Sequence, residues 1–253
     1  MATNKNNYSS SIAGLKIASR YGFRPHCLGL CGPKQAHREN LLQKFLRGGV
    51  SAAKMKPIFR KFLGAYPYYK LIARSNKIKN PFDEKVVAAY WIGNELLEKV
   101  KTEDLRKMVA GEFSGPGLLP KEIAAKKAAV IPRGSKPHHS FHVLIIGSVT
   151  GSVDFKSAGL KDLCRVGWGK VVKIPNPKSQ ISNLVVEYRP LVGGKKIKLG
   201  KPIKKEIIWN KNLMAELKKG DWVTFHWNYI CEKINLRQKK NLIYWTNYHL
   251  RLL

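Results

Sequence analysis

A chain of 253 residues with 44% apolar content can bury a substantial core, in one large domain or two of ordinary size, which excludes a wholly disordered protein. Lys and Arg total 47 against 16 Asp and Glu, a formal charge of +31, so the cation surplus either meets a polyanion or stays a solvated shell. The longest apolar run, "FHVLIIGSV" from Phe141, is far below the ~20 residues that span a bilayer, and no membrane partner is expected.

In chain order, the first half reads as helices. "AHRENLLQKFLRGG" stops at Gly48-Gly49, and "KPIFRKFLGAYPYYKLIARS" is a long aromatic-rich helical stretch. "NPFDEKVVAAYWIGNELLEKV" has Asn80 as N-cap, Pro81 at the first helical position and Asp83 and Glu84 in the first turn. It is apolar nearly all round, which puts it at the centre of a helical domain, and Gly93-Asn94 interrupts it where another backbone approaches or the Asn finds a partner. A shorter helix starts at Thr102 as cap, and "SGPGLLP" and "IPRGSKPHHS" read as loops. The helical domain is expected to cover residues 1–157.

From residue 158 the pattern changes to strands: "GKVVKI", "NLVVEYRPLV", a two-residue Gly193-Gly194 turn, "KKIKLG", "KKEIIW" and "DWVTFHWNYI". Several short strands with close turns suggest a small β-barrel, and Asn235 with Gln238 forms a capping box that opens a last helix. The predicted fold class is α+β, with a barrel domain and C-terminal helix over 158–253.

Four cysteines, Cys27, Cys31, Cys164 and Cys231, with no basic, apolar and small leader at the start, predict free thiols in a reducing compartment and a cytoplasmic protein. In "DWVTFHWNYI" the alternation sets Val223, Phe225, Trp227 and Tyr229 on one face and Trp222, Thr224, His226 and Asn228 on the other. Cys164 has Arg165 and Lys170 nearby, which predicts a solvent-facing thiolate more reactive than the other cysteines, Cys231 being buried. "PHCLGLCGP" offers His26, Cys27 and Cys31 in a Gly/Pro-bounded loop, a donor set that suits iron or zinc. In "HHSFHV", His138 and His142 lie one helical turn apart with His139 adjacent, so a helix would let the pair grip one ion. "GGKKIKLGKPIKK" supplies Lys195, Lys196, Lys198, Lys201, Lys204 and Lys205 near Trp168, Tyr188 and Trp209, a candidate phosphate track with stacking surfaces. A Gly-rich phosphate loop, a Gly-x-Ser-x-Gly elbow and a paired-carboxylate site do not stand out.

The segment from Cys164 to about Leu242 resembles the HypC/HupF hydrogenase-maturation chaperones, through Cys164, four residues, then "GKVV", and through "GDWVTFH" running into a connection and helix. The resemblance implies an OB-like barrel and an accessory, non-enzymatic role in nickel-iron hydrogenase maturation. Cys164 and His226 would hold iron in transit, bearing cyanide and carbon monoxide, and the partner would be a metalloenzyme precursor or another maturation protein. Cys31, His138, His139 and His142 are further candidate ligands, with zinc as an alternative metal. The whole chain also resembles an uncharacterised prokaryotic family sharing forms of "LGLCGP", "AYPYYKLIA", "VVAAYWIGNELL" and "HHSFHV". Two other functions compete: a basic nucleic-acid-binding protein built on the barrel, and a metal-dependent enzyme centred on the N-terminal Cys and His groups.

Overall fold

The computed structural model describes residues 2–33, 41–175, 178–194, 196–214 and 216–253, with side chains from Tyr8 onward. The fold is α+β, a helical first part followed by a five-stranded sheet and a C-terminal helix. The helices are α1 (Ala2–Cys27), α2 (Leu41–Leu46), α3 (Ala52–Arg60), α4 (Tyr66–Ser75), α5 (Glu84–Trp91), α6 (Thr102–Glu112), α7 (Lys121–Ala129), α8 (His139–Phe141) and α9 (Ala158–Cys164). Strands β1 (Gly167–Lys173), β2 (Ile181–Tyr188), β3 (Leu191–Val192), β4 (Lys198–Leu199), β5 (Ile203–Asn210), β6 (Trp222–His226) and β7 (Tyr229–Ile234) follow, then α10 (Leu236–Leu250). None of the described helices is long and apolar enough to cross a membrane.

Helix α5 sits at the centre, with Val86, Val87, Ala89, Tyr90 and Trp91 all buried. Its cap is Asp83, whose side chain accepts from the Lys85 N–H, and the expected cap Asn80 instead turns the loop by accepting from the Phe82 N–H. Lys101 is the N-cap of α6, while the Thr102 hydroxyl accepts from the Gly134 N–H and ties down a distant loop. The long aromatic stretch breaks into α3 and α4 around Phe62–Ala65. Part of the expected "AHRENLLQKFLRGG" helix, residues 36–40, lies outside the described residues, and α2 covers the rest as far as Leu46.

Strands pair in the order β1-β2-β5-β7-β6, and β6 pairs back to β1, closing the sheet on itself. The seam between β5 and β7 is parallel and made at Ile208 and Tyr229. Alternate residues Leu184, Val186, Ile207, Trp209, Val223 and Phe225 fill the interior, as a period of two requires. The Gly193-Gly194 turn belongs to a longer connection, since Val192 pairs with Lys198. "DWVTFHWNYI" is two strands, because Trp227 (φ 51°) and Asn228 (φ 57°) both adopt left-handed backbone and reverse the chain. Two successive positive φ values match the twist of a hairpin, although they are costly for a tryptophan. Cys231 is therefore on β7, a strand away from Phe225, and is buried as expected.

The outer face of β6 and β7 is covered by the helical part. One hydrophobic cluster runs from Leu15 and Tyr21 of α1 through Tyr90 and Trp91 to Tyr229, Cys231, Leu242 and Trp245. Residue 157, the expected boundary, is the serine that caps α9 by accepting from the Leu160 N–H, so helix continues to Cys164. The capping box Asn235/Gln238 opens α10. Helix α10 then lays Trp245 against Gly93, where an added Cβ would meet the indole Cδ1 at 2.0 Å and φ is +90°.

Gly93→Ala accordingly combines a forbidden backbone angle with a collision. Stability in urea unfolding is expected to fall by roughly 2–4 kcal/mol with an unchanged slope. A midpoint within error of the parent's would show that α10 is not seated on α5.

Candidate metal centre

The sequence places a proline, Pro25, inside helix α1. Proline has no N–H, so the carbonyl four residues earlier, on Tyr21, loses its helical partner. That carbonyl accepts instead from His226 Nδ1 at 2.8 Å. The bond fixes the imidazole with its proton on Nδ1 and its lone pair on Nε2. Nε2 is buried and has no hydrogen-bond partner.

Two more groups converge on this point. His139 opens α8, whose cap His138 accepts from the Ser140 N–H. It packs against the Trp91 ring at 4.6 Å and edge-on to His226 at 5.0 Å, and its Nδ1 is likewise buried without a partner. Cys164 is the last residue of α9, held near the hairpin by the Trp227 N–H donating to the Leu163 carbonyl at 2.8 Å. One ligand atom from each of His139, Cys164 and His226 lies within 4.8 Å of the others, a set able to hold a metal ion. A four-coordinate ion with bonds of ~2.0–2.3 Å separates its ligands by roughly 3.5 Å, so closing on the ion takes movements of about 1 Å.

Burial governs the protonation of this set. It pushes the His226 imidazole down to about 4, against the carbonyls of Tyr21 and Cys164. It also holds His139 well below the usual imidazole range, with His226 and His142 adding to the effect. The Cys164 thiol is pushed far up by the same desolvation and further by Cys31, while the Trp227 indole works against it. That indole N–H is buried and faces the sulfur without a hydrogen bond of good geometry, a donor available to a thiolate. At neutral pH the site holds two neutral imidazoles and a neutral thiol, and a bound metal has to displace the thiol proton.

A cavity of about 70 Å³ opens onto the cluster. Cys31 and His142 also line it, together with Tyr90, Trp91, Phe155 and Trp227. His142 begins a π-helical stretch, His142–Ile146, whose wider turn continues α8. Its Nδ1 bonds to the Tyr68 hydroxyl at 3.0 Å, and burial, with Lys127 adding, pushes it down to about 4. Burial pushes the Cys31 thiol up to about 11.

Several expectations need correction. Cys164 is buried, and burial shifts its thiol away from thiolate with no offset from Arg165, which points elsewhere. The guanidinium is 1% exposed, bonds Asp162 at 2.9 Å and the Arg189 carbonyl at 2.6 Å, and lies over the Trp168 ring. His138 and His142 do not pair across a helical turn: His138 stacks on His249 at 6.0 Å and bonds Ser140, a separate buried network. In the "PHCLGLCGP" loop Cys27 is exposed while Cys31 lines the cavity, and His26 Nδ1 bonds the Cys31 carbonyl. Sequence reasoning missed the role of Pro25, whose signal is a proline within an otherwise helical run.

The lysine candidates separate. Lys196 and Lys198 line a groove of about 970 Å³ with Arg189, Trp168, Asn247 and Arg251, and no Asp or Glu lines it among the described residues. Lys201 and Lys204 are exposed outside that groove, Lys204 paired across strands with Glu187. Lys205 lies over the Tyr188 ring, and Lys195 is outside the described residues.

The chain belongs to DUF6390, described as a family of unknown function, whose model matches residues 10–253. No curated protein and no solved structure matches it, so the likeness to the hydrogenase-maturation chaperones has no support there.

The buried histidines set a pH dependence. Folded values for His139, His142, His226 and His249 lie below the unfolded value near 6.5, three of them at about 4. Their contribution is complete above pH 6.5 and is lost as pH falls towards 4, where only the unfolded chain takes up protons. Each histidine adds a slope of up to ~1.4 kcal/mol per pH unit. Urea midpoints of the metal-free protein should drop steeply between pH 6.5 and 4.5, and less steeply in His249→Gln; a flat profile would contradict neutral burial.

Proposed function

We propose that this chain is a metalloprotein with a resident mononuclear transition-metal centre, ligated by His139, Cys164 and His226 and open towards the cavity, where a small molecule binds and is activated. The observation that carries this reading is the convergence of unpartnered polar atoms. His226 Nε2 and His139 Nδ1 lack partners in a buried site, one ring nitrogen of each histidine lies within 4.8 Å of the other and of the thiol, and the Trp227 N–H lies beside the thiol without a hydrogen bond of good geometry. Leaving buried polar atoms unsatisfied costs ~1–3 kcal/mol each, and a metal thiolate satisfies them together. A thiolate with two imidazoles suits zinc(II) or iron(II). Three protein ligands with one open position is the arrangement of reactive metal sites, whereas purely structural sites are closed by four.

Burial favours a resident metal over iron in transit to a hydrogenase-type client. A carrier has to present its ligands to the recipient, whereas His139 and His226 are 4% and 2% exposed. The site also spans both parts of the chain, with ligands from α8, α9 and the end of β6.

Anaerobically purified protein loaded with zinc(II) or iron(II) should retain one ion per chain by elemental analysis. Cys164→Ser and His226→Gln should each reduce retention at least about tenfold, with Cys27→Ser unchanged. Pro25→Ala restores an N–H that competes for the Tyr21 carbonyl, and loss of such an orienting bond typically weakens metal affinity 10–100-fold. Metal-free parent protein after loading, or full retention in Cys164→Ser, would overturn the assignment.

A second reading, nucleic-acid binding, is favoured by the groove between the β3–β4 hairpin and α10, which Arg189, Lys196, Lys198 and Arg251 line with no Asp or Glu among the described residues. Under it, affinity for a single-stranded oligonucleotide falls steeply with salt. Replacing Lys198 and Arg251 by Glu should lower the log–log salt slope by about 2. An unchanged slope would leave the +31 charge as a solvated shell.

A further inference from the structure

The charge of the proposed centre does not balance. A divalent ion with one thiolate and two neutral imidazoles carries one net positive charge. Among the described residues, the cavity wall beside it contains no Asp, Glu, Lys or Arg, although the chain as a whole is strongly cationic. Two neighbouring ion pairs are internally satisfied: buried Arg165 is matched by Asp162, and Glu232 by the part-buried Arg20. A single uncompensated charge in a desolvated pocket is unfavourable, and the least costly remedy is an anion brought in as the missing ligand.

The same cavity wall supplies a donor for such a ligand in His142, whose ring lies 6.3 Å from that of His139. Tyr68 is fully buried, burial keeps its hydroxyl protonated, and its O–H bonds to His142 Nδ1 at 3.0 Å. A buried phenol needs an acceptor, so Tyr68 donates to Nδ1 and the imidazole proton sits on Nε2. Gly64 keeps the space beside that nitrogen clear: a Cβ there would lie 3.3 Å from His142 Nε2 and 4.0 Å from Cys31 Sγ. The volume of about 70 Å³ is about half the ~150 Å³ of an engineered cavity that admits benzene, which limits the occupant to a few non-hydrogen atoms.

We propose, building on the metal reading above, that the open coordination position takes one small monoanion, hydroxide being the simplest, with the His142 Nε2–H donating to it across the cavity. Substrates or inhibitors of this site are then small acids bound as their conjugate bases. Aromatic acids and larger carboxylates are excluded by size, and neutral molecules of equal size are disfavoured by charge.

The test uses the full chain loaded with cobalt(II), whose visible bands report the ligand set. Sodium azide and sodium cyanate at constant ionic strength should shift the bands saturably with one anion per cobalt, whereas methanol and sodium benzoate should not. His142→Phe should weaken azide at least about tenfold at the same cobalt content, the loss expected for a hydrogen bond to a charged partner. Should that variant fail to fold, Gly64→Ala fills the cavity beside Nε2 and should weaken azide likewise. Bands unmoved by any anion with cobalt retained would overturn the proposal and leave the metal centre standing. So would loss of half the sulfur-to-cobalt charge-transfer intensity in Cys31→Ser, since Cys31 would then supply the second negative charge. Failure to retain cobalt at all would overturn the metal centre itself.

Discussion

The hydrogen bond from His226 Nδ1 to the Tyr21 carbonyl is the constraint on which the rest of the site depends. It exists because Pro25 withholds the N–H that would otherwise occupy that carbonyl within α1. A helix defect is thereby used as an acceptor for a residue some two hundred positions away. Tyr21 reinforces the joint with the rest of its side chain: its ring stacks on Trp91 at 5.0 Å, its hydroxyl bonds Thr224 at 2.9 Å, and Glu232 accepts from it at 3.1 Å. Trp91 then packs against both His139 and His226, so one aromatic stack holds the orientation of two imidazoles. The orientation of the two imidazoles thus follows from where α1 docks on β6 and β7.

Charge is kept out of this region by pairing it elsewhere. Glu232 is pushed up by burial, yet Arg20 at 3.0 Å and the Tyr21 hydroxyl satisfy it on the outer face of the hairpin. Arg165 immediately follows the candidate thiol in sequence, but the chain leaves α9 in extended backbone there and sends the guanidinium to Asp162. Asp162 in turn accepts from the Tyr188 hydroxyl and the Leu191 N–H, which locks the start of β3 to the end of α9. These pairs organise the walls, and the cavity between them stays neutral. Neutral surroundings preserve imidazole lone pairs and leave a bound cation as the dominant local charge.

Much of the architecture was legible because it rests on local rules. The change from helical to alternating periodicity, the capping box at Asn235 and the burial of α5 all follow from residue order. Cys164, His226 and His139 could each be singled out as candidate ligands, and the structure brings these three together. The pairing within "HHSFHV" was misread because the stretch is a three-residue helix running into a π turn, which turns His138 towards α10 and His139 towards the barrel. The hairpin at Trp227-Asn228 was hidden since the bulky Trp227 is not a usual left-handed former, though Asn228 is, and tertiary contacts to α9 hold it. Thiol reactivity was misjudged for a simpler reason: neighbours in sequence give no direction, and a charge one residue away can face the opposite side.

The strained hairpin also explains why the ligands can be rigid without a dedicated loop. His226 is the final residue of β6, so its backbone is held by pairing to Tyr229 on one side and by the strand itself on the other. Trp227, forced into left-handed backbone directly after it, spends conformational energy to carry an indole N–H to the thiol and a backbone N–H to Leu163. Left-handed backbone at a bulky residue persists only where surrounding contacts over-determine it. Here those contacts join the end of α9, the turn of the hairpin and the cavity wall, three pieces of chain that contribute Cys164, His226 and the covering aromatic. Metal uptake at this junction, if the proposed centre forms, would be coupled to the docking of the helical part on the barrel, because the candidate ligands lie on both. The binding free energy of such an ion would add to the stability of that interface, so a metal at the proposed centre would also be a structural link between the two parts.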